Sequence, residues 1–198
     1  MPDAIADAKR ALRAEMRERR QLLSEQAREE AAHGIRAQLD ALVADLGVRS
    51  MSCFLSTTTE PDTRAFVTDA AARGIRILLP VTRTDGLLDW AVATADGDIA
   101  EGMYGLPEPV GELLGPIAVN DVDLLVIPAA AVDSTGMRLG WGRGFYDKTL
   151  GSMEHCPPVY AVVYDSEVID QVPRDVHDQP VTGIVTPTRT ITLAPTRR

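Results

Sequence analysis

Residues 122–147 read VDLLVIPAAAVDSTGMRLGWGRGFYD: a nearly unbroken apolar run, then a stretch dense in glycine and arginine, then two aromatics and an aspartate. The run 122–132 has the length and composition of a β-strand buried on both faces, the form strands take in a parallel sheet covered by helices. Behind it, Gly136, Gly140, Gly142 and Gly144 fall within nine positions of a chain holding 15 glycines in 198 residues, where average usage places roughly one. Fixing such a backbone is entropically costly, so a ligand or a tight turn must require it. A short helix is predicted over 145–150.

The same alternation runs outward. SMSCFLS (50–56) reads as a strand, 62–73 as a helix ended by Gly74, and IRILLP (75–80) and LLDWAVA (87–93) as strands. PVYAVVY (158–164) is another buried strand, and a short one is expected near 182–186. Residues 94–120, rich in Gly and Pro, read as a long loop in which GLPEP (105–109) takes no regular structure. Two helices precede these units. The first covers 3–20, with Ala8, Leu12 and Met16 on one side and Lys9, Arg13, Arg17 and Arg20 sharing a face. The second covers 25–46, capped by Ser24 and Gly47, with Gly34 inside it arguing against one straight segment. Together these imply an α/β fold: a three-layer α/β/α sandwich with a mostly parallel sheet and an N-terminal helical segment. We expect a single domain over 1–198, with N-terminal helices in 1–47 and the α/β core in 48–198.

Composition narrows the function. The formal net charge of −9 opposes bulk attraction to nucleic acid or an anionic membrane, so an anionic ligand needs a local cluster of cations. Cys53 and Cys156 form no CxxC pair, and no apolar run reaches the length of a membrane span. A cytoplasmic protein without nucleic-acid or membrane partners is expected, and nothing demands more than a monomer.

In folds of this kind ligands gather at the carboxyl ends of strands, which is where the glycine-rich stretch lies. It is neither a Walker A loop nor a Gly-x-Gly-x-x-Gly fingerprint. Its ingredients nevertheless suit a polyphosphate: accessible backbone N–H groups, a following helix N-terminus, and the guanidinium groups of Arg138 and Arg143. Asp147 would repel bare phosphate but could hold a Mg2+ ion shared with it. The plain alternative is a glycine-rich turn with Asp147 favouring the first turn of a helix.

RLGWGRGFYD (138–147) closely resembles the signature Arg-Leu/Ile-Gly-x-Gly-x-Gly-Tyr/Phe-Tyr-Asp of the 5-formyltetrahydrofolate cyclo-ligases. KRALR (9–13), FLSTTTEPDT (54–63), GLPEP (105–109), DLLVIPAAAVD (123–133) and QVPRDVHDQPVTGIVTP (171–187) are similar to other segments of that family, so the likeness covers nearly the whole chain. The family closes a ring on N5-formyl-tetrahydrofolate with ATP, giving the methenyl derivative, ADP and phosphate. Chemistry of this kind needs positioning and charge neutralisation more than a nucleophilic triad, and the three histidines, His33, His155 and His177, are scattered.

The resemblance implies an ATP site made by Lys9, Arg10, Ala11, Leu12 and Arg13 with the loop Arg138, Leu139, Gly140, Trp141, Gly142, Arg143, Gly144, Phe145 and Tyr146. It implies a folate site at Leu55, Glu60 and Tyr104, bordered by Trp141, Gly142, Arg143, Gly144 and Phe145. Arg138, Arg143 and Tyr146 are the implied catalytic residues and Asp147 the Mg2+ ligand, with ATP as co-substrate and the folate as small-molecule partner. On the residues alone, a solvated helix face is the favoured account of Lys9 and Arg13, Glu60 could be only a loop acid, and core packing explains Tyr104 equally well. One departure stands out: where the family commonly has a second Asp for the metal, this chain has Thr182, with Asp178 four residues earlier. The competing readings are a sugar-phosphate isomerase or CoA-transferase-like enzyme of a related fold, and a non-catalytic nucleotide-binding paralogue.

Overall fold

The structure, a computed structural model, describes residues 2–193. Helix α1 spans Pro2–Gln21 and α2 spans Glu25–Leu46. The Ser24 hydroxyl accepts the Ala27 N–H at 3.2 Å, and Gly47 closes the other end in the left-handed region. Gly34 does not interrupt α2. A Cβ there would overlap the Pro187 carbonyl oxygen, so the glycine is where the helix meets a neighbouring segment of backbone.

Seven strands form the main sheet: β1 (Ser50–Ser52), β2 (Arg76–Thr82), β3 (Leu88–Val92), β6 (Leu124–Pro128), β9 (Val159–Val162), β11 (Gly183–Val185) and β12 (Thr190–Thr192). Their order is β12-β11-β9-β6-β1-β2-β3. The five inner strands are parallel and the two edges antiparallel. Alternation along the inner strands buries both faces: Leu124 and Val126 join one core with α2 and with α3 (Arg64–Ala72), while Leu125 and Ile127 join the other with α4 (Phe145–Ser152). The three-layer α/β/α expectation holds.

The order of strand addition reverses at β1, because β2 is added on one side of it and β6, β9 and β11, still parallel, on the other. The segments leaving the carboxyl ends of β1 and β6 diverge there and leave a crevice.

Two expectations fail locally. Residues 122–132 are not one strand: Pro128, which has no N–H for a continued ladder, ends β6. The chain then enters a three-stranded sheet made of β7 (Ala131–Asp133), β8 (Arg138–Leu139) and β10 (Val168–Ile169). GLPEP is also not irregular, since β5 (Pro107–Pro109) pairs with β4 (Ile99–Glu101). Bonds from Gly102 N–H to Leu106 O and from Val110 N–H to Asp98 O set the alternation, so both prolines fall in pairs that make no ladder bond.

Candidate active site

The crevice is a cavity of about 620 Å³ at the carboxyl ends of β1, β2 and β6, walled by α1, the 53–60 segment, the β4–β5 hairpin and the stretch 138–147. Five cationic side chains line it (Lys9, Arg13, Arg17, Arg138 and Arg143) against four acidic ones (Glu60, Glu108, Asp147 and Asp178). A net positive cavity in a chain of net −9 is the local cation cluster that an anionic ligand requires.

The glycine-rich stretch divides in two. Ser134–Met137 is the turn of the β7–β8 hairpin. Oδ1 of Asp133 accepts the Thr135 N–H (2.8 Å), the Thr135 hydroxyl (2.6 Å) and the Met137 N–H (3.2 Å), while Oδ2 accepts the Val172 N–H (3.0 Å). Burial opposes ionisation of Asp133, but these four donors outweigh it and hold the carboxyl below its ordinary range. Gly136 belongs to this turn, with φ of 82° and Val181 O only 2.5 Å from where a Cβ would be.

Gly140–Gly144 is the half that faces the cavity. Gly142 (φ 94°) and Gly144 (φ 73°) occupy the left-handed region that only glycine enters at little cost. The Gly140 carbonyl accepts Arg13 Nε at 2.7 Å, tying the loop to α1. Burial, then the neighbouring charge of Arg17, lowers the Arg13 pKa from its ordinary value; a guanidinium nonetheless stays charged at neutral pH. Lys9 reaches Asp178 at 2.5 Å with only 14% of its side chain exposed. Lys9 and Arg13 are thus held residues and not a solvated face.

Arg138 is buried, donating to the Gln179 carbonyl and, at 2.7 Å, to Asp147 Oδ1. Arg143 is exposed, its guanidinium 3.6 Å from the centroid of the Tyr104 ring. Tyr104 is half exposed, so it is not core packing. It is also the one non-glycine residue with positive φ (66°) among those described, a strained conformation of the kind that collects at functional sites. Phe145 lies beside it, ring centroids 6.3 Å apart. The Tyr146 hydroxyl is buried without a hydrogen-bond partner among the described residues. Burial pushes its pKa up, so it stays protonated and can donate its O–H but not act as a base.

Two carboxylates are built alike. Glu60 accepts the Thr57 N–H (2.9 Å) and hydroxyl (3.0 Å); Glu108 accepts the Thr82 N–H (2.9 Å) and hydroxyl (2.6 Å). In each case one threonine fixes one oxygen of a carboxylate on the cavity wall.

Leu55, Glu60, Tyr104 and the whole of Arg138–Asp147 line the cavity with Lys9 and Arg13. Arg10, Ala11 and Leu12 do not. Arg10 is exposed and pairs with Asp7, Ala11 is exposed, and Leu12 packs against the apolar cluster of Met16, Ala130 and Leu139. Helical periodicity accounts for this, since one face admits positions 9 and 13 but not those between. Thr182 is also elsewhere: its hydroxyl accepts the Val159 N–H (2.7 Å) and donates to the Val159 carbonyl (2.9 Å). Asp178, by contrast, is on the cavity wall. Missing from the sequence-derived set are Arg17, which its i+4 spacing from Arg13 could have added, and Glu108, which stands between two prolines in a segment that reads as loop. Among the described residues no group of three or more His, Cys, Asp or Glu side chains is placed to hold a metal ion, and no helix is long and apolar enough to cross a membrane.

Residues 5–187 match the model of the 5-formyltetrahydrofolate cyclo-ligase family. The chain belongs to that family. It is 33% identical to a 5-formyltetrahydrofolate cyclo-ligase of Mycolicibacterium smegmatis over 189 residues, covering 93% of this chain and 96% of that protein. Against the Escherichia coli K12 protein of the same name it is 26% identical over 179 residues, 88% of this chain and 97% of the other. The Aquifex aeolicus 5,10-methenyltetrahydrofolate synthetase structure superposes with a TM-score of 0.79 at 26% identity, covering 96% of this chain and 95% of that one.

Proposed function

We propose that this cyclo-ligase family member converts 5-formyltetrahydrofolate to 5,10-methenyltetrahydrofolate, with ATP cleaved to ADP and phosphate. The observation that carries the reading is a single cavity that joins a cationic, glycine-built loop to a wall of aromatics and anchored carboxylates. The formyl oxygen is a poor leaving group. It attacks the γ-phosphorus of ATP and releases ADP; N10 then attacks the activated carbon, phosphate departs with the former formyl oxygen, and N10 gives up its proton.

In this reading Lys9, Arg13 and Arg17 take the phosphates with the N–H groups of Gly140–Gly144, and exposed Arg143 meets the transferring phosphoryl group. Arg138 acts by orienting Asp147. Glu60, one oxygen held by Thr57, receives the donor-rich edge of the pterin. The Tyr146 O–H donates to a developing anion. Mg2+ shared with a polyphosphate uses one or two carboxylates and completes its shell with phosphate oxygens and water. Asp147, 31% exposed, and Asp178 on the same wall fit that requirement and would hold it, and the ion would supply neutralisation of phosphate charge. With Cys53 and Cys156 both free thiols, the reducing cytoplasm suits the protein.

The test is to incubate protein, ATP, Mg2+ and 5-formyltetrahydrofolate, following methenyl absorbance and ADP together. Equal yields in the two channels are expected. A folded protein giving neither product would overturn the proposal.

A further inference from the structure

Of the α1 side chains described, only Met16 and Arg20 are buried, so they are the deepest anchors of this helix beside the cavity. Met16 is an apolar contact, joining Ala130, Ala131 and Leu139. Arg20 is different. It is 1% exposed and forms a two-pronged pair with Glu167, also 1% exposed, through Nε at 2.6 Å and a terminal nitrogen at 2.8 Å. That nitrogen also donates to the Ala129 carbonyl at 2.9 Å, at the bend between β6 and β7. Glu167 in turn accepts the Tyr164 N–H at 2.8 Å, just past the end of β9. One buried ion pair therefore fastens α1 to the carboxyl ends of two central strands.

The same guanidinium carries a third fastening. Its carbon lies 4.8 Å from the Trp141 ring centroid, and that of Arg17, one turn earlier on α1, lies 5.4 Å from the same ring. The tryptophan of the glycine loop is thus gripped by two cations of one helix. Positions 9, 13, 17 and 20 share a helical face, so the residue that anchors the buried end also sets where Lys9, Arg13 and Arg17 stand along the cavity.

We infer that Arg20 and Glu167 are positioning residues for nucleotide binding: they hold the α1 cations and Trp141 in register with Gly140–Gly144 without touching the ligand. This deepens the proposed function and rests on its reading of the loop as the ATP site. Neither residue lines the cavity. Their geometry is more than packing requires, because a buried ion pair is commonly no more stabilising than apolar residues of similar volume.

That last property supplies the test. Arg20→Met combined with Glu167→Leu removes the grip while keeping the interior filled. ADP affinity is measured by titration calorimetry, and acrylamide quenching of tryptophan emission reports the environment of Trp141, since Trp90 is fully buried. The variant is expected to keep its far-ultraviolet circular dichroism, to lose about tenfold in ADP affinity, equivalent to roughly one charge-assisted contact, and to quench more readily. The KM for the folate should rise less than the ADP affinity falls, because Trp141 is one border residue of the folate site while Lys9, Arg13 and Arg17 all serve the phosphates. ADP affinity and quenching both unchanged in a folded variant would overturn the inference. Arg20→Lys, which keeps the charge but loses the planar fork, decides if the double variant does not fold: a smaller loss of the same sign supports the inference, and wild-type affinity overturns it. If wild-type protein binds no ADP, the ATP reading fails, and quenching alone then decides whether the ion pair holds Trp141.

Discussion

The two halves of the stretch between β7 and α4, STGM at 134–137 and GWGRG at 140–144, both need glycine and have opposite roles. Ser134–Met137 is folded around an internal acceptor: Asp133 spends its acceptor capacity on Thr135, Met137 and Val172, and Gly136 makes room for the Val181 carbonyl. Gly140–Gly144 turns outward, with left-handed glycines that no side chain caps and an arginine left exposed. The contrast extends to the aspartates at either end. Asp133 is a staple whose charge is satisfied within the fold. Asp147 is a carboxylate held at the cavity edge by Arg138. The presence of a left-handed glycine does not by itself separate a turn from a ligand cradle; the destination of the neighbouring carboxylate does.

The largest effect that would break this comparison belongs to Asp147. Asp147→Asn should lower Mg2+-dependent turnover by about a hundredfold or more, the scale of losing one preorganised electrostatic group, with little change in melting temperature. Turnover within a few-fold of wild type would remove Asp147 from the site. Gly136→Ala should do the reverse. Forcing φ of 82° on alanine and a Cβ against Val181 O should cost roughly 2–4 kcal/mol, read by denaturant unfolding, while the folded fraction keeps wild-type KM for ATP.

Asp133→Asn comes next, at roughly 1–3 kcal/mol for donors left facing a poorer acceptor. Its pH dependence has a definite sign. Because the folded carboxyl is held below the ordinary value of 3.8, its stabilisation is fully present above that value and is lost as pH falls through the lower folded-state pKa. The variant should lose this part of the acid unfolding arm, so an unchanged arm would place the stabilisation elsewhere. Thr182→Asp should have the smallest functional effect. Its hydroxyl serves Val159, away from the cavity, so metal dependence should stay as in wild type, and tighter Mg2+ binding would contradict the placement.

Much of the architecture is legible in the sequence because the central strands β6 and β9 are buried on both faces and therefore read as plain apolar runs, at 124–127 and 159–162. The loop at 140–144 is legible for a related reason: glycines and arginines together have few purely structural uses. What stays hidden depends on partners distant in sequence. Pro128 looks like part of a strand until the chain is seen to change sheets, and GLPEP looks like a loop until the register excuses both prolines. Arg20 looks like one more cation of the α1 face because helical spacing reports a shared face but not the depth at which a side chain ends. Only Glu167, 147 positions away, makes it a buried anchor.

The most direct test of the chemistry assigned to this cavity follows one oxygen atom. With 18O in the formyl group of 5-formyltetrahydrofolate, a single round of turnover should transfer the label to inorganic phosphate, which mass spectrometry reads as an increase of about two daltons in the phosphate formed. Label found in water, with unlabelled phosphate beside the methenyl product, would contradict phosphorylation of the formyl oxygen and, with it, the part that the glycine loop and Arg143 play in that transfer.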